Sequence, residues 1–310
     1  MASDFDLLVF GDCNPDLILS GEAVEPWFGQ RERMVDASML TIGGSASITA
    51  CGAARLGLRT AFAGIVGDDV FGRFMLDALA ARGVDVSGCV VDPDGPTALS
   101  VVLSKGDDRA TLTAAGVMER WRTDLLDRDL LRSARLLHSV GFFASPAWGD
   151  LRGLFAEAHE AGLSTSLDPQ GEPEADWGAV LAMLPEVDVF FPNSAEARAI
   201  TGIDDADVAA GILAEKAKVV AAKFGQGGGM VVSGGDVDVH VEAVAVDARD
   251  STGAGDSFDA GFLAGYLNGW SLDRCLRLAI ACGSLSTRSA GGTEAQPSME
   301  EALAAAGVDA

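Results

Sequence analysis

Short apolar runs alternate with longer stretches of helical period along most of the chain. Phe5–Gly11, Thr60–Val66, Leu136–Val140, Leu163–Leu167 and Val187–Phe191 read as buried strands. The spacing predicts helices from about Ser45 to Leu56 and from Val70 to Arg82, each followed by a glycine, Gly57 or Gly83, able to take a left-handed cap. Strand and helix in alternation predict an α/β fold, a three-layer α/β/α core with a mostly parallel central sheet.

Two stretches break that rhythm. Leu17–Ser20 with Ala37–Ile42, and Ala98–Ser104 with Arg109–Ala114, read as further strands, the second pair joined by the turn-rich Lys105-Gly106-Asp107-Asp108. They predict a small β-sheet lid, formed by about 17–42 and 98–114 and inserted in a single domain spanning 1–310. The Ala-rich segment from Met299 to Ala310 reads as a terminal helix with a frayed end.

Composition narrows the partners. With 22 basic against 46 acidic residues the net charge is −24, which repels a nucleic-acid backbone and an anionic membrane surface. No window approaches the roughly 18 uninterrupted apolar residues of a membrane span, and Met1–Asp12 lacks a secretory leader, so a soluble cytoplasmic protein is expected. Five scattered cysteines without a Cys-x-x-Cys pair suggest neither a disulfide framework nor structural zinc.

The sharpest chemical signal is Asp250-Ser251-Thr252-Gly253-Ala254-Gly255-Asp256-Ser257-Phe258, placed after the strand-like Val241–Val246 and opening a small-residue helix. Amides of Gly253, Ala254 and Gly255 at a helix N-terminus suit an oxyanion. Asp256 would repel that anion unless it must take a proton from an attacking hydroxyl; it also reads as a plain helix cap. Asn193 and Glu196, after Val187–Phe191, suit a Mg²⁺ and phosphate region or a helix N-cap. Lys223 with Gly225 and Gly228 forms a glycine-rich connection that suits a phosphate or a simple hairpin, and it matches neither a P-loop nor a full dinucleotide fingerprint. Asn14 and Asp16, with Gly43 and Gly44, suit a polyhydroxylated ligand. His138, His159 and His240 are isolated, so zinc and serine hydrolase mechanisms lack their parts.

Together these residues resemble the ribokinase-like, PfkB-type carbohydrate kinase family over nearly the whole chain. Two stretches carry the resemblance: Gly43-Gly44-Ser45-Ala46-Ser47 through Ala53-Ala54-Arg55-Leu56-Gly57 to the run Gly64–Gly72, and Asp250–Phe258. The resemblance implies ATP as donor, Mg²⁺ as helper and Asp256 as base, with Gly253, Ala254 and Gly255 as anion hole. It implies sugar contacts at Asn14, Asp16, Gly43 and Gly44, and nucleotide contacts at Asn193, Lys223, Gly225 and Gly228. Glu196 falls in the implied Mg²⁺ region, and Asp250 with Arg288–Gly292 in that of a K⁺-like ion which some members use. Ile48 stands where the family commonly has Asn, Ser45 where ribokinases have Lys, and Gly141 near an expected Glu. Ribose therefore becomes doubtful, and a less polar surface including Phe142 or Phe143 is expected. The expected activity is transfer of the γ-phosphoryl group of ATP to a hydroxyl of a small sugar or polyol. A nucleoside kinase of the same fold and a catalytically silent sugar- or nucleotide-binding regulator are the alternatives. The substrate is expected to be unphosphorylated, since Arg31 and Arg33 alternate with Glu32 as in a solvated surface. A homodimer through the lids is expected.

Overall fold

The computed structural model describes residues 3–308 except 107, 142–149, 172–176 and 235. An eight-stranded sheet forms the middle layer. In chain order its strands are β1 (Leu7–Phe10), β4 (Thr60–Ala63), β9 (Leu136–Val140), β10 (Ser164–Asp168), β11 (Val189–Phe190), β12 (Val219–Lys223), β13 (Gly229–Ser233) and β14 (Asp236–Val241). Across the sheet the order is β14-β13-β12-β11-β10-β9-β1-β4, parallel from β4 to β12 and antiparallel at the last two pairings. Both faces are covered, so successive residues of β1 serve opposite cores. Leu7 and Val9 pack with α1 (Ser45–Arg55), α8 (Ala254–Leu267) and α9 (Leu272–Ser286), whereas Leu8 and Phe10 pack with α4 (Leu151–Glu160), α6 (Ser194–Thr201) and α7 (Ala206–Leu213). That double burial is why the strands read as unbroken apolar runs.

The chain leaves β1 in one direction for β4 and later returns on the other side for β9. This switch opens a crevice at the carboxyl ends of β1 and β9, where ligands bind in open α/β sheets.

The lid is a separate four-stranded sheet, β3-β2-β7-β8, made of β2 (Asn14–Ser20), β3 (Ala37–Gly43), β7 (Leu99–Lys105) and β8 (Asp108–Ala114). The strand β2 follows β1 almost directly and β3 runs straight into α1, so this half of the lid is tied to the switch crevice. Its other half enters through Thr97, whose Oγ1 accepts the Gly67 N–H at 2.8 Å and donates to Asp69 at 2.7 Å. Asp69 also caps α2 (Val70–Ala81) through the Gly72 N–H. The Gly64–Gly72 stretch therefore anchors the point where the chain enters the second half of the lid.

Three expectations change. The run Thr60–Val66 breaks at Gly64 into β4 and β5 (Ile65–Gly67), and β5 pairs with β6 (Val90–Asp92) in a third, two-stranded sheet. Val241–Val246 is not a strand: β14 ends at Val241, and the next residues run irregularly along a cleft. The terminal helix α10 stops at Ala306, capped by a left-handed Gly307. Gly57 and Gly83 take the expected positive φ, 93° and 82°. All five cysteines are free, and no helix among the described residues is long and apolar enough to cross a membrane.

Candidate active site

The helix α8 starts at the switch crevice because Gly253 adopts φ 72°, a left-handed conformation. A side chain there would also meet the Gly292 Cα at 2.7 Å. The Ala254 N–H donates to the Ser251 carbonyl at 3.2 Å, while the N–H groups of Gly253, Gly255 and Asp256 have no acceptor among the described bonds. The turn thus offers three amides without an acceptor among the described bonds, at the end of a 14-residue helix where the macrodipole favours negative charge. Ala254, expected among the anion-binding amides, is the one already engaged.

Asp256, in the first turn of α8, is 5% exposed. Burial drives its carboxyl well above the usual carboxylate range and the negative charge of Asp168 adds to this, against the pull of Lys223 and a hydrogen bond with Ser45. One helical turn on, Asp259 is fully buried. Lys223, at the end of β12, reaches between two buried carboxylates: its Nζ lies 2.8 Å from Asp168 and 3.2 Å from Asp259. Burial alone would lower this ammonium, but Asp168 and Asp259 hold it above the ordinary lysine range. The same Nζ would stand 3.6 Å from a Cβ at Gly255, so the cation sits beside the anion turn.

Asn193 caps α6, accepting from Ala195 and Glu196 N–H groups, and Glu196 accepts from the Asn193 N–H at 2.8 Å in a full capping box. Glu196 is nevertheless 5% exposed and also accepts from Gly171. Burial and the nearby Asp168 push its carboxyl up to about 7. The capping role and the placement beside Lys223 are both real.

On the lid side, the Asn14 Nδ2 donates to the Ser100 Oγ at 3.2 Å and to Asp16 at 3.3 Å, and Ser100 pairs with Thr113 at 2.9 Å. Burial, helped by the charge of Asp12, raises Asp16 to about 6. Gly44, at φ 75°, lets β3 turn into α1, where Asp12 caps the helix by accepting from the Ser45 and Ala46 N–H groups at 3.0 and 2.8 Å. A Cβ on Gly43 would overlap the Asp16 carboxylate. The glycine pair therefore brings Asn14 and Asp16 against the start of α1.

Between the anion turn, the Lys223–Gly228 loop and residues 243–248 lies a cavity of about 520 Å³. Val244, Val246, Phe258 and Ile280 give it apolar walls, and Lys223 and Gly255 mark its polar end. An apolar slot ending in amides and a cation fits a base with a phosphate tail. The Gly225 and Gly228 of the sequence motif line it, both at positive φ.

The profile of the pfkB family carbohydrate kinases matches residues 4–299. The chain belongs to that family. An uncharacterized sugar kinase of Archaeoglobus fulgidus is 33% identical over 250 residues, covering 79% of this chain and 98% of the relative. Arabidopsis thaliana ribokinase, solved with ribose and ATP, superposes with a TM-score of 0.86 at 23% identity over the full length of both chains. A ribokinase II of E. coli in complex with ATP and Mg²⁺ gives 0.85 at 23% identity, covering 97% of this chain and 98% of that one. The protein is an ATP-dependent sugar kinase, a phosphotransferase with an alcohol acceptor.

Several residues in contact with the candidate site escape a reading of motifs. Asp168 and Asp259 flank Lys223, Arg109 reaches the anion turn from the lid, and Gln296 ties α1 to α8 through Ile48 O at 2.9 Å and Ser257 Oγ at 3.2 Å. Asp168 carried a usable signal, since it follows a predicted parallel strand, and Asp259 lies one helical turn from Asp256. Arg109 carried none. Ile48 is no acceptor wall: it is 2% exposed and wedged against Gly253 and Gly292 beneath the anion turn. Phe142 and Phe143 lie outside the described residues. Arg31 and Arg33 lie over the Trp27 ring, 5.2 and 4.4 Å from its centroid, rather than forming a basic clamp.

Proposed function

We propose that Asp256 removes the proton of an acceptor hydroxyl held by Asn14 and Asp16 while the γ-phosphoryl group of ATP rests on the Gly253–Gly255 turn. The acceptor oxygen forms its bond to phosphorus, the bond to the β-phosphate oxygen breaks, and ADP leaves. The observation that carries this reading is a buried carboxyl with a raised pKa set directly on an anion-binding helix N-terminus. A group poised in that way is a base whose proton affinity suits an alcohol better than an exposed aspartate would. The nucleotide lies in the apolar cavity, its phosphates toward Lys223, Gly225, Gly228 and Asn193.

Lys223 neutralises Asp168 and Asp259, so a polyphosphate can approach a site otherwise rich in carboxylates. Mg²⁺ fits as a guest of the nucleotide. Among the described residues no three acidic, His or Cys side chains form a metal cage, and Glu196 and Asp168 would reach the ion's water shell while the ion neutralises phosphate charge. A K⁺-like ion does not fit at Asp250. One of its oxygens accepts from the Gly291 N–H, the other from Thr252, and Arg109 already answers its charge at 3.5 Å.

The acceptor class follows from the lid floor of Asn14, Asp16, Ser100 and Thr113, a hydroxyl-matching surface; Arg109, whose charge reaches Asp16, is already engaged by Thr252 and Asp250. An unphosphorylated sugar or polyol is the substrate it suits. Measuring ADP release across free sugars, sugar acids, sugar phosphates and nucleosides tests this. Turnover on a free sugar or polyol is expected, and turnover confined to nucleosides or to sugar phosphates would overturn the assignment.

The lid also supports a dimer. Leu17, Leu40, Val101 and Leu112 stand in register across one face of the sheet, with Leu40 and Leu112 exposed and the other two half-buried. An apolar sheet face left to water is seldom tolerated, and the lid of a second copy covers it. Light scattering should give a dimer mass at micromolar concentration, and Val101→Glu should yield a monomer with reduced activity. A fully active wild-type monomer would refute the pairing.

A further inference from the structure

A second cavity, of about 600 Å³, lies where β9 and β10 begin, at the end of the sheet opposite the switch crevice. Ala134 and Arg135 lead into β9, Ser164 opens β10, and Tyr266 and Leu267 end α8. All five line the cavity, with Arg132 from the last turn of α3 (Arg128–Arg132). The helix α8 carries Asp256 in its first turn and meets this cavity at its last, so about 20 Å of helix separate the cavity from the Gly253–Gly255 turn. It is therefore no part of the acceptor or nucleotide site.

Three observations give the cavity its sign. Arg59 grips Asp6 through two N–H groups, Nε to Oδ2 at 3.0 Å and Nη2 to Oδ1 at 2.9 Å, and the Arg135 Nη1 donates to the same Oδ1 at 3.2 Å. Among the described residues neither guanidinium has another ion-pair partner, so one carboxylate answers two cations and a positive charge is left over. Arg132 engages only Nη1 among the described bonds, with Asp129 at 3.0 Å, and that carboxylate is 94% exposed. A pair so open to water is weak and leaves most of the fork for a ligand. The negative end of α8, which would repel an anion, is closed: the Ala264 carbonyl accepts from Asn268 Nδ2 at 2.8 Å, Gly265 from the Trp270 N–H at 3.1 Å, Tyr266 from the Gly269 N–H at 3.0 Å, and Leu267 from Arg135 Nη2 at 2.6 Å.

Two hydroxyls stand beside this charge. Tyr266 hydrogen-bonds Ser164, and the Ser164 N–H donates to the Arg135 carbonyl at 3.0 Å, which fixes the hydroxyl pair next to the arginine. Asp188 and Lys218, the charges whose fields reach Tyr266, form an ion pair of their own.

We propose that this cavity is a second ligand site, built for a small organic anion such as a carboxylate or a phosphate ester. Arg132 and the free Nε of Arg135 take the oxyanion, and Ser164 and Tyr266 take polar groups on the rest of the molecule. The volume lies within the range of small-molecule sites and exceeds what an inorganic ion fills. An anion bound there ties β9, β10 and α8 together and stabilises the folded chain by mass action.

The test titrates full-length wild type, Arg132→Ala and Ala161→Glu with phenyl phosphate, succinate and inorganic phosphate by calorimetry, while a non-hydrolysable ATP analogue with Mg²⁺ saturates the nucleotide site. Ala161 is exposed at the end of α4 and lines the cavity, so its replacement brings a like charge to the site without disturbing the core. Phenyl phosphate represents an ester and succinate a carboxylate. At least one of them is expected to bind wild type at a single site and to raise its melting temperature, and which one binds names the source of the oxyanion. Each variant should weaken that binding by roughly 10- to 100-fold, the loss expected for a hydrogen-bonded charge, while keeping the affinity of the wild type for the ATP analogue. Failure of both organic anions to bind at millimolar concentration would overturn the proposal. So would binding that either variant leaves unchanged, or inorganic phosphate binding as tightly as phenyl phosphate, which would mark an adventitious ion only.

Discussion

Asp256→Asn should lower turnover by roughly 10² to 10⁴-fold while leaving ATP binding intact, because the amide keeps the volume and cannot accept a proton. The same substitution should raise the stability of the free protein. Burial and Asp168 place the folded-state pKa of Asp256 above its unfolded value near 3.9. A carboxyl shifted in that direction favours folding most fully below the unfolded pKa, and that contribution is lost as pH rises toward the folded pKa. At neutral pH the wild type therefore carries the cost of a buried acid, and asparagine removes it. Thermal unfolding of the two proteins between pH 4 and 8 should show the variant gaining on the wild type as pH increases. A variant with near-normal turnover, or one whose melting temperature falls steadily behind with rising pH, would remove Asp256 from the role of base.

Lys223→Met should be the most damaging single change to the fold of the site. It leaves Asp168 and Asp259 buried and facing each other without their shared cation, and breaking such a pair costs about 3–5 kcal/mol. Activity should vanish with it, since the phosphates would then meet two unscreened carboxylates. The sign with pH is opposite to that of an ordinary salt bridge left intact: acid should relieve the variant, because protonating Asp259, whose carboxyl burial already raises, removes the stranded charge. The double variant Lys223→Met/Asp259→Asn should recover a large part of the lost stability by chemical denaturation without recovering turnover. Equal stability of Lys223→Met and wild type at neutral pH would show that water reaches the cluster and that the lysine is not its keystone.

Much of the fold was legible because its rules are local or periodic. The strands at 136–140 and 163–167 lie within a residue of β9 and β10, since doubly covered strands must be apolar throughout. The two helices at 45–56 and 70–82 ended one residue early, at positions where glycine caps enforce the stop. The run 60–66 misled because Gly64 let one apolar stretch serve two sheets, and apolar character says nothing about which neighbour a strand pairs with. Val241–Val246 misled for a related reason: its apolar residues from Ala243 to Val246 line a cavity, and a cavity wall and a strand ask for the same side chains.

The amino-acid sequence alone determined the glycine turn that opens α8, because Gly253 and Gly255 at a helix start constrain backbone conformation directly, and it determined that Asp256 stands in the first turn. It also determined the lid, through strand-length runs that break the βα rhythm. Only the tertiary structure decided what surrounds those parts. Asp168, Lys223 and Asp259 come from a strand end, another strand end and a helix, and Arg109 and Asp250 are 141 positions apart. Their contact depends on strand order and on where the lid folds back. The pKa of Asp256 is likewise a property of the assembled site: it follows from the water excluded and the charges gathered by packing, and neither quantity exists until distant segments meet.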